Sequence, residues 1–328
     1  MNYRTIFKHL FMLRYLFCLP LLLAASTTFA QGSKWHVAKY DGNRKAALSL
    51  TFDDGLKEHY TLVFPRLKEM GLKATFAVIG SRMDNPQKNP AKATFSWEEA
   101  REMAEDGQEI TSHGWSHTNV TKLQGEALRY EVEHNDSAIY RHVGVFPRTY
   151  FYPGNRKDSV SVDFCSRHRV GTRISQVSLG SKRDSLWMRR WIDQLVADGE
   201  WGVTMTHGIT IGYDCFDNAG KFWDMLEMVK NCHDLWTATF HDIAAYTMER
   251  ENVAYSVQDK GKKTVILLKS TLEKEIFNYP LTMVIEDDGS VKTPVAVTQD
   301  HRRLEVISEN GFTYFRFNPN GGKIIIRY

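Results

Sequence analysis

The chain has 328 residues, 42% hydrophobic and 25% charged, the balance of a globular protein long enough for one large domain and a small one. It carries 42 Lys and Arg against 39 Asp and Glu, and Arg4, Lys8 and Arg14 account for the whole excess. Without them the balance is 39 to 39, so charge gives no argument for nucleic acid or an anionic membrane surface as a partner.

In chain order, residues 1–30 read as a signal peptide. Three positive charges precede a short apolar run, "YLFCLPLLLAA", and Thr28 and Ala30 supply small residues at a cleavage site. The run is too short for a convincing membrane span. The mature chain is expected to be exported, periplasmic or secreted, with no membrane span. Cys165, Cys215 and Cys232 remain in it. The last two bracket a helix of about twelve residues, which sets them roughly 18 Å apart, beyond the roughly 7 Å limit for a bridge. No structural disulfide is expected, and no cysteine pair is spaced for zinc.

From residue 46, short β-forming runs alternate with helical segments. The strands are "AALSLTF", "KATFAVIG", "QEITSH", "TYFYP", "RVGTRIS", "WGVTMTH" and "DLWTATF". Ser96 with Glu99 predicts a capping box at the head of "SWEEAREMAEDG". Leu123, Leu128, Val132 and Ile139 fall at helical intervals, as do Phe222, Met225, Leu226 and Val229. Seven strands alternating with helices predict a parallel α/β barrel. No dinucleotide-type glycine loop follows the first strand, which argues against an open sheet. This domain is expected over 31–250. Residues 251–328 read as a small all-β, sandwich-like domain with turns at "EDDGS", "SENG" and "NPNGG". Its aromatics, Tyr279, Phe312, Tyr314, Phe315 and Phe317, read as packing residues.

In an α/β barrel the reactive groups sit at the C-terminal strand ends. Here those ends carry Asp53 and Asp54, then His113 and His117, then Tyr152, Pro153 and Gly154, then His207. Each alone has a plain reading: a solvated turn, a chance HxxxH, a satisfied core histidine. Together they converge on one rim. The i, i+4 histidines would share one face of a helical turn. Two imidazoles and a carboxylate make a zinc set with positions left open. A cation would also offset the cost of two adjacent carboxylates at the end of a buried strand.

"TFDDG" at 51–55, "SHGWSH" at 112–117, "FYPG" at 151–154 and "THG" at 206–208 resemble, in order and spacing, the signature motifs of the polysaccharide deacetylases, carbohydrate esterase family 4. The resemblance covers residues 46–250. It implies a distorted (β/α)7 barrel that removes N- or O-acetyl groups from chitin-type oligomers, peptidoglycan or xylan with a divalent metal, commonly Zn2+. It makes Asp53 the catalytic base, Asp54 a metal ligand beside His113 and His117, and His207 the general acid. A backbone N–H near Tyr152 would hold the oxyanion. Tyr152, Pro153, Gly154 and Trp115 would contact the acetylated polysaccharide or oligosaccharide, with Trp115 and Tyr152 offering flat faces to sugar rings. N-deacetylation of a GlcNAc-type glycan is the favoured reading. The alternatives are an O-acetyl (xylan-type) esterase and a non-catalytic carbohydrate-binding relative. Two departures from the pattern stand out. The arginine that steadies the base has only Arg148 near its place, six residues before Gly154 with aromatics between, which leaves open Arg148, another cation or none. The aspartate that tunes the acid histidine would be Asp184 or Asp193, with Asp184 favoured. His241 and His59 read as structural or packing histidines.

Overall fold

The computed structural model describes residues 35–286, 294–309 and 311–328. The expected signal segment and most of the "EDDGS" turn lie outside the described residues. The first strand, β1 (Trp35–Val37), belongs to the C-terminal half of the molecule. The run "AALSLTF" forms two strands in line, β2 (Ala46–Ser49) and β3 (Thr51–Phe52). Then come β4 (Thr75–Val78), β5 (Glu109–Ser112), β6 (Thr149–Phe151) and β7 (Gly171–Arg173). A two-residue β8 (Val177–Ser178) was not legible in the alternation; β9 (Trp201–Met205) and β10 (Leu235–Thr237) were.

These strands pair in parallel, in the orders β3-β4-β5-β6-β7 and β10-β2-β9-β8. The two sheets are stitched where β3 meets the end of β9. Phe52 bridges Thr206, the Asp53 N–H donates to Thr206 O at 2.9 Å, and the Thr206 N–H donates to Thr51 O at 2.9 Å. The result is a distorted barrel wall running from β7 round to β8.

Every residue of β2 and β4 is buried, as a parallel strand covered on both faces requires. Phe52 stacks on Phe76 at 4.9 Å inside one continuous core. Helices close its outer side. Helix Trp97–Glu105 starts with the Ser96–Glu99 capping box. Helix Ala219–Lys230 buries Phe222, Met225, Leu226 and Val229, the face its spacing predicted. The helical run after His117 comprises Gly125–Arg129, a π-helical turn at Tyr130–His134, and Asn135–Val143, ending at Gly144 with φ +90°.

Helix Phe240–Asn252 spans the expected boundary near 250 and passes directly into β11 (Val253–Asp259). There follow β12 (Lys263–Ser270), β13 (Leu281–Glu286), β14 (Ala296–Gln299), β15 (Arg302–Leu304), β16 (Val306–Glu309), β17 (Phe312–Phe317) and β18 (Ile324–Arg327). They form two antiparallel sheets, β1-β13-β17-β16 and β11-β12-β18-β14-β15. Their shared core holds Ile266, Met283, Phe315, Phe317 and Ile326, and Tyr246 enters it from helix Phe240–Asn252. Along "FTYFRF" burial does not simply alternate. Tyr314 packs on Ala38 and Val284 on the second face, so both faces of that sheet are partly covered. Cys165, Cys215 and Cys232 are free thiols. Among the described residues no helix is long and apolar enough to cross a membrane.

Candidate active site

The stitch between β3 and β9 places Asp53 and His207 at neighbouring positions on one rim, each one residue past the Phe52–Thr206 bridge. Asp53 is 2% exposed. A carboxylate this buried needs a partner, and Arg173 supplies it. Nη1 donates to Oδ1 at 2.7 Å and Nη2 donates to Oδ2 at 2.5 Å. Nη1 also donates to Thr51 Oγ1 at 2.7 Å, and the guanidinium lies over the Phe151 ring at 4.1 Å. Burial pushes the Asp53 carboxyl up, but Arg173, with His113 and His207, outweighs it and holds the group well below the usual carboxylate range. Of the alternatives left open, Arg148 is elsewhere: its Nη1 donates to the His168 carbonyl and its guanidinium lies over Phe146. Arg173 comes from the next strand in the wall. Its one sequence signal is a charged residue inside the β-forming run "RVGTRIS".

Asp54 and Gly55 take φ +75° and +64°. This left-handed pair turns the chain sharply, so Asp54 leaves the strand in a different direction from Asp53. Its Oδ1 lies 3.5 Å from His117 Nε2 and 3.8 Å from His113 Nε2. The His113 Nδ1 contacts the Phe151 carbonyl at 2.9 Å. A carbonyl only accepts, so Nδ1 carries the proton and Nε2 presents a lone pair to the site. Burial and the neighbouring His113 push the His117 imidazole down to about 4, toward the neutral form. Asp54 Oδ1 is buried with no hydrogen-bond partner. Two imidazole lone pairs and an orphaned carboxylate oxygen, with all ligand atoms within 4.8 Å of one another, fit a divalent cation of the zinc type.

The histidines do not share a helical turn. Residues 113–117 form a bent loop, with Gly114 at φ +79° and His117 at φ +60°. The loop is tied to Glu131, a buried residue of the π-helical turn. Glu131 accepts from the Ser116 N–H at 3.1 Å, the Ser116 hydroxyl at 2.7 Å and the Thr118 N–H at 3.0 Å, and its carbonyl accepts the Trp115 N–H at 2.8 Å. A Cβ at Gly114 would stand 2.5 Å from Glu131 Oε1. One turn on, Asn135 accepts from the Gly80 N–H and donates to Val78 O and Ser112 Oγ.

The His207 carbonyl accepts from His59 Nε2 at 2.7 Å, and Nδ1 of His207 is buried without a partner. His59, a packing histidine by sequence, is buried in a second π-helical turn, and burial pushes it down to about 4. It therefore braces the acid candidate's backbone as a neutral donor. Asp184 is not beside His207. It caps helix Ser185–Asp198, accepting the Trp187 N–H at 2.7 Å, and Asp193 is on the exposed face of that helix. The Tyr152 ring is 1% exposed and its hydroxyl donates to Thr172 Oγ1 at 3.0 Å, which corrects the expectation of a sugar-stacking face there. Pro153 is buried, and Gly154 turns the chain at φ +58°. Trp115 is half-buried, 4.3 Å from the His134 ring, and packs so tightly on Gly80 that a Cβ there would come within 2.5 Å.

Parallel strands closing a barrel wall, with a carboxylate, two histidines and an arginine-held aspartate at their C-terminal ends, define an α/β-barrel protein with a metal-type rim site. Residues 40–169 match the family model of the polysaccharide deacetylases. Two similar curated proteins are peptidoglycan-N-acetylglucosamine deacetylases. PgdA of Listeria monocytogenes is 33% identical over 114 residues, 34% of this chain and 22% of PgdA. That of Bacillus cereus is 28% identical over 123 residues, 37% of this chain and 41% of the relative. The chain thus spans well under half the length of either. A solved structure from Mycobacterium smegmatis, assigned to the polysaccharide deacetylases, shares the fold with a TM-score of 0.51 at 14% identity, over 66% of this chain and 94% of that one.

Proposed function

We propose that this protein is an exported, metal-dependent hydrolase that removes acetyl groups from an acetylated glycan, with N-acetylglucosamine units as the favoured substrate class. The observation that carries this reading is the arrangement of Asp54, His113 and His117 beside the Arg173-held Asp53 and the neighbouring His207. The relatives' activity on peptidoglycan N-acetylglucosamine supports the substrate class.

Asp54, His113 and His117 would hold the metal. When bound, a divalent ion there, Zn2+ by its donor set, supplies Lewis acidity to the acetyl carbonyl and lowers the pKa of water. Asp53 is ionised and spends one lone pair of each oxygen on Arg173, so it keeps acceptor capacity for the proton of the attacking water. Backbone N–H groups near Tyr152 would stabilise the oxyanion. His207 would donate its proton to the sugar nitrogen as that nitrogen leaves. Arg173 and Thr51 keep Asp53 in one orientation, so little is lost to reorganisation as the proton moves.

Acetate release tests the proposal. Zinc-loaded protein, with and without a chelator, is assayed on penta-N-acetylchitopentaose, peptidoglycan and acetylated xylan. Chelator-sensitive release from the first two supports the proposal. Release from xylan alone moves it to the O-acetyl esterase reading. No release from any of the three overturns it in favour of a carbohydrate-binding role.

A further inference from the structure

Beyond β9 the chain makes a loop, residues 208–217, that is tied down at several points. Glu58 accepts the Ile209 and Thr210 N–H groups at 2.9 Å each. The Gly208 N–H donates to Tyr213 O at 3.2 Å, and the Phe216 N–H donates to Ile209 O at 3.1 Å. Asp214 accepts the Ser178 and Ser181 hydroxyls at 2.8 and 2.7 Å, and any side chain at Gly180 would collide with it. Gly212, at φ +101°, turns the chain just before Tyr213. The Tyr213 side chain is 72% exposed, so it contributes little to the core. Its ring nonetheless stands 5.1 Å from the His207 ring at 87°. The backbone that carries it is fixed while its face is left to solvent beside the acid histidine.

Chemistry assigns a direction to this corner of the rim. In deacetylation the sugar is the leaving group, so the sugar must lie on the side of the residue that protonates it. The acetyl group points instead toward Asp54, His113 and His117. We infer that Tyr213 is the platform on which the pyranose ring bearing the acetylated group stacks, fixing substrate specificity on the His207 side of the site. A pyranose offers an apolar C–H face with polar edges. A tyrosine ring matches that pattern with a large flat surface and little conformational freedom to lose. The inference rests on the deacetylase reading and names the sugar subsite within it.

The test compares two acetyl donors on the zinc-loaded full chain. One is whichever of penta-N-acetylchitopentaose, peptidoglycan or acetylated xylan the wild type deacetylates. The other is 4-methylumbelliferyl acetate, which has no sugar ring. In Tyr213→Ala and Tyr213→Leu, the ratio of kcat/KM on the glycan to kcat/KM on the ester is expected to fall at least fivefold, mainly through KM on the glycan. Tyr213→Phe and Tyr213→Trp, which keep a flat ring, are expected to restore it to within about twofold. An unchanged ratio in Tyr213→Ala, equal losses on both donors, or failure of both aromatic variants to restore the ratio would overturn the inference and leave the deacetylase reading standing. A wild type that releases acetate from none of the three glycans overturns the deacetylase reading, and this inference with it.

Discussion

Arg173 and Asp53, 120 residues apart, close a two-pronged ion pair inside the barrel wall, with both side chains at most 3% exposed. Removing the cation strands a buried carboxylate. Arg173→Met is expected to cost about 3–5 kcal/mol of stability by urea unfolding. Arg173→Lys keeps the charge but not the fork. It should stay folded yet lose roughly 100-fold in kcat with zinc still bound, as expected when a catalytic group drifts from its productive geometry. Full activity in Arg173→Lys would show that the fork does not position the base.

Glu131 ties down the loop that carries His117, using both carboxylate oxygens and its own carbonyl. A glutamine would turn an N–H₂ group toward backbone donors. Glu131→Gln is therefore expected to weaken zinc binding by about 10–100-fold, the range for residues that orient metal ligands. Competition against a fluorescent zinc chelator measures it. Unchanged affinity would mean the loop holds its shape without this carboxylate.

Because the proposed ligand set of Asp54, His113 and His117 would come together only in the folded chain, zinc should raise the melting temperature. The expected gain is about 2.7 kcal/mol at 100 times Kd. Replacing Asp54, His113 or His117 by alanine should abolish most of that rise. Calorimetry with and without zinc checks this, and a full rise in His113→Ala would exclude it as a ligand.

Glu249 makes stability depend on pH away from the site. It is 1% exposed, its Oε1 accepts the Tyr279 N–H at 2.6 Å, and its Oε2 has no partner. Burial pushes its carboxyl up from 4.5 to about 7, against the opposing effects of the Tyr279 N–H and His241. Between those two values the folded chain binds more protons than the unfolded chain, so stability falls as pH rises through the window. Glu249→Gln keeps the oxygen that accepts from Tyr279 and removes the titration. Urea midpoints at pH 5 and pH 8 should therefore fall less in the variant than in the wild type. An equal fall in both would assign the dependence to other groups.

Much of the candidate site was legible because its parts are local. Asp53, Asp54, His113 and His207 each sit where an apolar run ends, His117 follows His113 by four residues, and strand ends of a barrel share one rim. What the sequence concealed depends on register and backbone. Arg173 reaches Asp53 only because four neighbouring pairings, β3 to β4, β5, β6 and β7, set the curve of the wall. An i, i+4 histidine spacing does not specify a helix, and the positive φ values of Gly114 and His117 build the same convergence from a loop. Glu131 was hidden because a π-helical turn shifts which residues face inward. Two residues of β8 are too few to show a period. β1 pairs with β13 some 250 residues away, a distance over which local pattern says nothing. Tyr152 looked like a sugar platform by type, and only burial shows its ring turned inward.

The most direct test of the central claim separates the two adjacent aspartates. Asp53→Asn is loaded with zinc, and bound metal and acetate release are measured on the same sample. One zinc per chain is expected, with turnover lowered by about 10²–10⁴-fold, the contribution of a general base. Loss of zinc together with turnover, or turnover retained, would contradict the division of Asp53 as base and Asp54 as ligand.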